Sequence, residues 1–330
     1  MRLFLGIDGG GSKTLFLLCD EKGRILASQK LGGFDFTRIG VDGVRKTLAA
    51  GTSQVLRQAG ATCQDVVAVC AGVPCLDEIP AWDLECPKIF AAQFPGTTVK
   101  CVNDSVVALY GALGFQPGIN LIAGTGSMAC GRNGNNEYAR SGGWNELISD
   151  EGSCYWLGQR ACSLFTRQSD GRLPRGPLYQ MMRDELVLQS DYDFITYYRE
   201  NLMGQRDKIA AMQMMLAKAA AAGDLSAIRS YADAAAELAS LAAAVKNRLF
   251  PKDPGPVLGS CTGGLMKVGD LITVPLREQL DIQNIRWTQP LLIPAAGAVL
   301  NAYEDAGHSN ADLTSALNHL RKATANTENI

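Results

Sequence analysis

The stretch LFLGIDGGGSKTLFLL, at residues 3–18, decides the fold, because two apolar runs flank a turn rich in glycine, hydroxyl and cationic side chains. The apolar runs predict the two strands of a β-hairpin. Glycines let backbone N–H groups approach an anion, and hydroxyl and ammonium groups add donors and positive charge. The turn is therefore a candidate phosphate-binding loop, although a plain glycine-rich turn explains the pattern equally well when it is taken alone. Its candidate ligands are Gly10, Gly11, Ser12, Lys13 and Thr14.

The carboxylate that precedes this turn is Asp8. Magnesium keeps most of its waters in proteins and takes few carboxylates directly. If the turn holds phosphate, Asp8 is placed to orient a hydrated Mg²⁺ ion through water.

Composition favours a small-molecule partner. The chain has 330 residues, more than one hydrophobic core usually supports, so two lobes with a cleft are expected. Its net charge of −2 argues against a nucleic-acid or anionic membrane surface. We find neither a basic segment followed by a cleavable apolar run nor an apolar stretch of the roughly 20 residues that span a bilayer. The sequence therefore predicts a cytoplasmic protein.

Cysteine and histidine usage restricts the chemistry further. The ten cysteines are scattered through apolar runs without a CxxC pair or a Cys/His cluster, which is typical of buried thiols and argues against a zinc site. The two histidines, His308 and His319, are far in sequence from every glycine-rich segment. A catalytic base is thus expected to be a carboxylate.

A second glycine turn suggests an internal duplication. The segment NLIAGTGSMAC, at residues 120–130, repeats the order of apolar strand, glycine turn and apolar strand. Between the two turns, apolar residues at 66–73 and 99–103 predict strands, the second of which leads to Asp104. A helix is predicted over 41–59, with Asp42 as its N-cap.

These elements predict a first lobe at residues 1–107 and a second at 108–293, with a C-terminal helix over 294–330 that rejoins the first lobe. Within the second lobe, residues 206–250 are rich in alanine and read as a structural helical hairpin. We expect it to break at Gly223 and to resume with Asp224 as a cap.

The two turns, with Asp104 at a strand end between them, resemble the phosphate-one, connect and phosphate-two motifs of the actin/hexokinase/heat-shock-ATPase superfamily. In addition, GGW at 142–144 followed by SDEGSCYW at 149–156 is similar to the GGWG…GDEGS…W signature of the N-acetylglucosamine kinase branch of the BadF/BadG/BcrA/BcrD ATPase family. The resemblance implies an α/β, two-lobed actin-like (ribonuclease H-like) fold with duplicated mixed sheets flanked by helices.

The resemblance also implies a reaction, the phosphorylation of an amino sugar by ATP with Mg²⁺. Asp104 matches the family's catalytic Asp, which takes the proton from a sugar hydroxyl as that hydroxyl attacks the γ-phosphate. A strand-end Asx turn is the structural alternative for Asp104, and an unliganded hairpin turn is the alternative for Thr125. A homodimer is implied as well, without nucleic-acid or membrane partners.

The remaining site residues are carried over from the same family. ATP contacts are implied for Gly124, Thr125, Gly126, Gly259, Gly263 and Gly264. Sugar contacts are implied for Asp35, Asp104, Ser127, Met128, Gly143, Trp144, Asp150 and Glu151. Charge at a helix N-terminus is the competing explanation for the two acidic residues Asp150 and Glu151, and core packing is the competing explanation for Trp144.

Two questions stay open at this stage. Asp35 stands where the branch usually has Asn, so the substrate is N-acetylglucosamine or, because a carboxylate adds charge and removes a donor, a free amino sugar such as glucosamine. Other functions remain for the fold too: an ATP-dependent activator of a radical dehydratase or reductase with an intersubunit iron–sulfur cluster, or a non-catalytic sensor.

Overall fold

The computed structural model describes residues 1–251 and 255–324, which divide into two units. Unit 1 comprises Met1–Gln116 and the described residues from Gln289 onward, and unit 2 comprises Pro117–Thr288. Each unit is built on its own five-stranded sheet.

The sheet of unit 1 is mixed and has the strand order β3-β2-β1-β4-β5. Its strands are β1 (Leu3–Gly9), β2 (Lys13–Asp20), β3 (Ile25–Gly32), β4 (Val66–Val73) and β5 (Thr98–Asn103). The first three strands are antiparallel neighbours, whereas β1, β4 and β5 run parallel. The parallel register pairs Asp8 with Gly72 and Val73 with Asn103, so the carboxyl ends of β1, β4 and β5 lie side by side.

The helices of this unit are α1 (Phe36–Ala59), α2 (Pro80–Gln93) and α3 (Asp104–Leu113), with two more at the C-terminal end of the chain. The prediction that Asp42 caps the first helix is wrong. The cap is Asp35, whose carboxylate accepts a hydrogen bond of 2.9 Å from the N–H of Thr37. Gly40, whose φ of +71° and ψ of 168° are not helical, interrupts α1, so Asp42 lies in the first turn after this break, at the start of the stretch 41–59 that the sequence predicts to be helical.

The sheet of unit 2 has the order β10-β9-β6-β7-β8. Its strands are β6 (Gly118–Ala123), β7 (Ser127–Arg132), β8 (Tyr138–Gly142), β9 (Val257–Thr262) and β10 (Ile285–Trp287). The strands β6, β7 and β8 are antiparallel neighbours, while β6, β9 and β10 are parallel. This is the topology of unit 1 repeated strand for strand, so the predicted fold of duplicated mixed sheets is confirmed.

The helices of unit 2 are α4 (Cys154–Ser169), α5 (Pro177–Glu185), α6 (Asp193–Tyr197), α7 (Arg206–Ala211), α8 (Gln213–Ala221), α9 (Leu225–Leu249) and α10 (Asp270–Ile282). The alanine-rich segment is helical and breaks at Gly223, whose φ is +87°. Asp224 caps α9, because its carboxylate accepts hydrogen bonds from the N–H groups of Ser226 and Ala227 at 3.0 and 3.1 Å.

The chain returns to unit 1 as α11 (Pro294–Asp305) and α12 (Asn310–Thr324). The predicted helix over 294–330 is therefore two helices with Gly307, at φ of +79°, between them, and residues 325–330 lie outside the described part. Helix α11 packs on β1 and α3. A Cβ on Gly6 of β1 would lie within 2.7 Å of Val299, so only glycine lets α11 sit this close to the sheet.

The structural boundaries differ from the predicted lobes of 1–107 and 108–293. A boundary after residue 107 would cut α3, which begins at Asp104 and packs against α11 within unit 1. The division instead follows Gln116 and Thr288. Within residues 1–251 and 255–324, no helix combines the length and apolar character needed to cross a bilayer.

Candidate functional site

In unit 1, two of the predicted site carboxylates lie at the ends of β1 and β5, the two strands that flank β4. Asp8 is the penultimate residue of β1, and Asp104 is the first residue of α3, directly after β5. Between them is Gly72 of β4, which pairs with Asp8. A Cβ on Gly72 would lie 3.2 Å from the Cα of Asp104 and closer still to Val107. Glycine at this position therefore lets the start of α3 approach β4 and β1.

The two carboxyl groups have unusual acidities. Burial, reinforced by the negative charges of Asp8 and Glu78, raises the pKa of Asp104 to about 7. Hydrogen bonds from the backbone N–H groups of Ser105 and of Asp104 itself act to lower this pKa. Burial raises the pKa of Asp8 to about 6, while the positive charge of Lys13 acts the other way. A carboxyl group with a pKa near neutrality can accept a proton in one step and lose it in the next, as general base catalysis requires.

A loop that sequence reasoning missed lies beside Asp104. Residues 74–79 follow β4 and include Glu78, whose negative charge raises the pKa of Asp104. Cys75 belongs to the same loop, and burial, then Asp35, Glu78 and Asp104, raise the pKa of its thiol to about 12. One residue in the sequence could have pointed to this loop. Asn103 precedes an apolar helix, where Asn is a common N-cap, and in the structure it caps α3 and also donates a hydrogen bond to the loop.

The first glycine turn has a well-defined backbone. The N–H of Gly10 donates to the carbonyl of Lys13 at 2.9 Å, and the carbonyl of Gly10 accepts the N–H of Phe34 at 2.9 Å. Gly33 packs against the backbone of Gly11, leaving no room for a Cβ. Gly11, Ser12 and Lys13 are exposed, so the side chains of Ser12 and Lys13 are accessible to a ligand.

Thr14 does not fit the predicted role of phosphate donor. Its side chain is completely buried, and its hydroxyl donates to the carbonyl of Gly32 at 2.7 Å, which ties β2 to β3. The alternation of side chains along a strand explains this outcome, because Thr14 already belongs to β2 and faces away from the turn.

Asp35, which is also predicted to contact the sugar, is partly buried and serves as the α1 cap. Besides the N–H of Thr37, the same carboxylate oxygen accepts the Thr37 hydroxyl at 2.7 Å. The thiol of Cys75 lies 3.9 Å from it. Asp35 is thus held in one orientation, near the loop that carries Glu78.

In unit 2, the second glycine turn joins β6 to β7. The N–H of Gly124 donates to the carbonyl of Gly126 at 2.9 Å, which closes the turn. The carbonyls of Gly124 and Thr125 accept the N–H groups of Cys154 and Tyr155 at 2.9 and 3.1 Å, so the first turn of α4 anchors the loop. The carbonyls of Gly124, Thr125 and Gly126 are thus all occupied by hydrogen bonds within unit 2.

The carboxylate of Asp150 also contacts this turn, through a hydrogen bond to its last residue, Ser127. Asp150 is 2% exposed and has a φ of +64°, and its Oδ1 accepts the N–H of Ser127 at 3.1 Å. Its Oδ2 is paired with Arg206 of α7 at 2.5 Å. The Ser127 hydroxyl is also engaged, since it donates to the carbonyl of Glu151 at 2.7 Å. Sequence reasoning missed Arg206, because 56 residues separate the two partners.

The segment 142–149 contains the predicted sugar contacts Gly143 and Trp144. Gly142 and Gly143 have φ of +77° and +71°, a region that favours glycine, and Gly143 lies against the side chain of Met128. Trp144 is 74% exposed. The alternative that Trp144 is a core aromatic is therefore wrong, and its ring is accessible to a ligand.

The structure separates the candidate adenosine-binding glycines. Gly259 is buried in the middle of β9, where it pairs with Ile119 and Trp287, so its prediction as part of a nucleotide-binding turn is wrong. Gly263 and Gly264 are exposed at the carboxyl end of β9. Gly263 has φ of +113° and touches Ala123, and Gly264 lies next to Gly124. These two glycines therefore border the second glycine turn.

No group of three His, Cys, Asp or Glu side chains in the described part of the chain could enclose a metal ion. All ten cysteines are free thiols. The assignment of Asp8 to a hydrated magnesium ion stays a prediction, for which a single nearby carboxylate is enough.

Comparison with known proteins agrees with this architecture. The model of the BadF/BadG/BcrA/BcrD ATPase family matches residues 5–302. An N-acetylmuramic acid/N-acetylglucosamine kinase from Clostridium acetobutylicum is 30% identical over 82% of this chain and 88% of its own length. An N-acetyl-D-glucosamine kinase from Dictyostelium discoideum is 28% identical over 75% of this chain and 80% of its own.

Solved structures show the same fold. A protein from Chromobacterium violaceum, provisionally named an N-acetylglucosamine kinase, superposes with a TM-score of 0.71 at 25% identity and covers 91% of this chain and 98% of its own. A ROK family glucokinase from Streptomyces griseus, in complex with glucose and AMPPNP, has a TM-score of 0.54 at 19% identity, over 97% of this chain and 99% of its own. With the family model spanning nearly its whole length, the chain belongs to the BadF/BadG/BcrA/BcrD ATPase family.

Proposed function

We propose that this protein transfers the γ-phosphate of ATP to a hydroxyl of an amino sugar, with Asp104 as the general base. The proposal depends above all on one observation in unit 1: Asp104 begins a helix directly after β5, at the edge of the sheet where β1 ends with Asp8 and leads into the first glycine turn. Burial, which raises the pKa of Asp104 to about 7, supports the assignment. Phosphoryl transfer asks little more of a protein than a base, charge neutralisation and correct positioning.

The chain is a sugar kinase of an ATPase family, and the amino sugar is the substrate class that its relatives support. Two of these relatives are named for N-acetylated sugars, and a third, 26% identical over 54% of this chain and 59% of its own length, is named a glucosamine kinase from Vibrio cholerae. Asp35 favours a free amino group, because an anion attracts a protonated amine and has no proton to donate to an acetyl oxygen.

Each unit has its own glycine turn, and the backbone N–H groups of each turn are by themselves candidate contacts for an anion. In unit 1 the exposed Ser12 and Lys13 add a hydroxyl and a positive charge. In unit 2 the turn 124–126 supplies N–H groups, with Gly263 and Gly264 beside it. Magnesium would neutralise phosphate charge, and Asp8 would orient it through water. Asp150 and Glu151 remain candidate sugar contacts, since each carboxylate oxygen can accept more than one hydrogen bond.

The experiment that tests this proposal is a coupled ATP-consumption assay with glucosamine, N-acetylglucosamine, N-acetylmannosamine, N-acetylmuramic acid and glucose. We expect sugar-dependent turnover with an amino sugar, and a loss of at least about 100-fold in kcat for Asp104→Ala with nucleotide binding nearly unchanged. Turnover that survives this substitution would remove Asp104 as the base. Iron bound by the purified protein would instead favour the activator of a radical dehydratase, the alternative function for this family.

A further inference from the structure

Asn103, the residue before the proposed base, uses its whole side chain in hydrogen bonds. It is 6% exposed, and its Oδ1 accepts the N–H and the hydroxyl of Ser105 at 3.1 and 2.6 Å. Its Nδ2 donates to the carbonyl of Leu76 at 2.8 Å and reaches Glu78 Oε1 at 3.4 Å. One side of the amide therefore caps α3, and the other side holds the loop 74–79.

A helix cap alone does not require the second set of contacts. Serine or aspartate caps a helix as well as asparagine does, but neither presents an amide N–H group to a second segment. The loop that Asn103 holds is conformationally constrained, because Cys75 and Asp77 have φ of +63° and +64° without being glycine. Such a backbone persists when its surroundings over-determine it, and the buried amide of Asn103 is one of the groups that do so here.

We propose that Asn103 is a positioning residue for phosphoryl transfer, which holds the first turn of α3, with Asp104, against the loop 74–79, with Glu78. This inference rests on the proposed function, because it assigns the clamp to the reaction that Asp104 performs. Asn103 itself contacts neither substrate, since each of its polar atoms is taken by the protein.

The charged and titratable groups around Asp104 set the direction of the effect. Asp8 faces it from β1, and Glu78 and the thiol of Cys75 face it from the loop 74–79, while Lys13 acts through Asp8. If the clamp is lost, the loop relaxes, Glu78 moves away and water reaches Asp104. Both changes lower the pKa of Asp104.

Asn103→Ser tests the clamp, because serine keeps the α3 cap but removes the amide donor without adding charge. We expect kcat to fall about tenfold or more, the KM for ATP to change by less than about twofold, and the acid limb of the kcat/KM profile to move about half a pH unit or more downward. Glu78→Gln, at an exposed position, should move the acid limb in the same direction.

The double variant separates a clamp from a general loss of packing. If Asn103 acts through the loop, the shift in Asn103→Ser/Glu78→Gln is smaller than the sum of the two single shifts, and an additive shift would refute the proposal. An unchanged acid limb in a folded Asn103→Ser protein refutes it equally. Should Asn103→Ser fail to fold, Glu78→Gln decides alone, and an unmoved acid limb there counts against the clamp.

A second measurement keeps this test independent of the assigned reaction. The pKa of Asp104 can be measured by NMR, from the chemical shift of its carboxyl carbon as a function of pH, in the wild-type chain and in both variants with ATP and sugar absent. If the wild-type chain phosphorylates no amino sugar but the Asp104 pKa shifts downward in both variants, the proposed function is refuted and the positioning role of Asn103 stands. If the wild-type chain phosphorylates an amino sugar but Asp104 titrates identically in the wild type and in both variants, the proposed function stands and the positioning role of Asn103 is refuted.

Discussion

Asp104 carries a cost in folding free energy, because its charged form is disfavoured where it is placed. Its folded pKa of about 7 exceeds the ordinary value of about 4, so the folded protein holds this proton more tightly than the unfolded chain does. The stability contributed by the protonated group is present below about pH 4 and is lost as the pH rises towards 7.

We therefore predict that Asp104→Asn abolishes turnover and raises stability at pH 8. At about 1.4 kcal/mol for each pKa unit, the gain is at most about 4 kcal/mol, and it should disappear by pH 4. Denaturant unfolding at the two pH values measures it.

Asp20 offers a control of opposite sign. Burial acts to raise its pKa, but hydrogen bonds from Arg24 and from the N–H of Lys22 hold the pKa below the ordinary value. Asp20→Asn should destabilise the protein at pH 8, with a smaller loss at low pH. Equal behaviour of the two variants would contradict the account of Asp104.

The same carboxyl group predicts the pH dependence of activity. A general base must be unprotonated, and the pH dependence of kcat/KM reports the free protein, so kcat/KM should fall about tenfold per pH unit below pH 7. A steady-state profile of kcat/KM between pH 5 and 9, with ATP and sugar well below their KM values, checks this. A profile that stays flat down to pH 5 would mean that the group which limits turnover is not Asp104.

Arg206 is the partner of the buried Asp150, and its removal should be costly. Arg206→Ala leaves the Asp150 side chain, which is 3% exposed, without its counter-charge. We expect a loss of about 2 kcal/mol or more in the free energy of unfolding. The matched control is Lys218→Ala, which breaks a 2.7 Å ion pair whose side chains are 56% and 39% exposed, and which should cost less than about 1 kcal/mol.

At the scale of elements, the turn of the β1–β2 hairpin packs closely against the backbone of Gly33. The adjacent residue Gly32 makes no such contact and serves as a control. A Cβ on Gly33 would collide with the Gly11 backbone, whereas a Cβ on Gly32 would meet nothing within 4 Å. Gly33→Ala must therefore displace the glycine turn, and Gly32→Ala need not.

We predict that Gly33→Ala costs about 1 to 3 kcal/mol and raises the KM for ATP several-fold, while Gly32→Ala changes both by little. Thermal unfolding and initial-rate kinetics on the two variants provide the comparison. Similar KM values for ATP in both would argue that this turn does not bind the nucleotide.

At the scale of the whole molecule, the two units differ in how the chain builds them. Unit 2 is one continuous segment with its own core, which includes Leu121, Phe165 and Leu238. Unit 1 is interrupted, and α11 supplies Val299 and Tyr303 to the core on one face of its sheet. Residues 1–116 alone lack the α11 side chains that form much of this core.

We therefore predict that a fragment of residues 117–288 folds alone and that a fragment of residues 1–116 does not. Circular dichroism and cooperative thermal unfolding distinguish the outcomes. Fusion of residues 289–324 to the fragment 1–116 through a flexible linker should restore folding. Cooperative unfolding of residues 1–116 without that fusion would contradict the role given to α11. The homodimer implied by the family stays a prediction, which light scattering can test.

Much of the fold could be predicted because its signals are local. The glycine turn between two apolar runs, the capping residue Asp224 and the proline that starts α11 each act within a few residues of themselves. The duplication was visible for the same reason, since both turns and their flanking strands are short continuous segments.

Parts of the candidate site could not be predicted, because they depend on contacts between distant segments. Whether the Thr14 hydroxyl faces a ligand or the carbonyl of Gly32 is decided by sheet register, and so is the burial of Gly259 inside β9. The partners of Asp150 and of Asn103 are remote in sequence, and neither Arg206 nor Glu78 belongs to a motif.

By itself the sequence determined the two hairpins, their glycine turns and the acidic residue at the end of β5, because turn chemistry and hydrophobic patterning act over a few residues. Only the tertiary structure decided which of these groups are available to a ligand and how acidic they are. A pKa depends on burial and on the charges within a few ångströms, and packing brings those charges together from Asp8 in β1, Glu78 after β4 and Asp104 after β5.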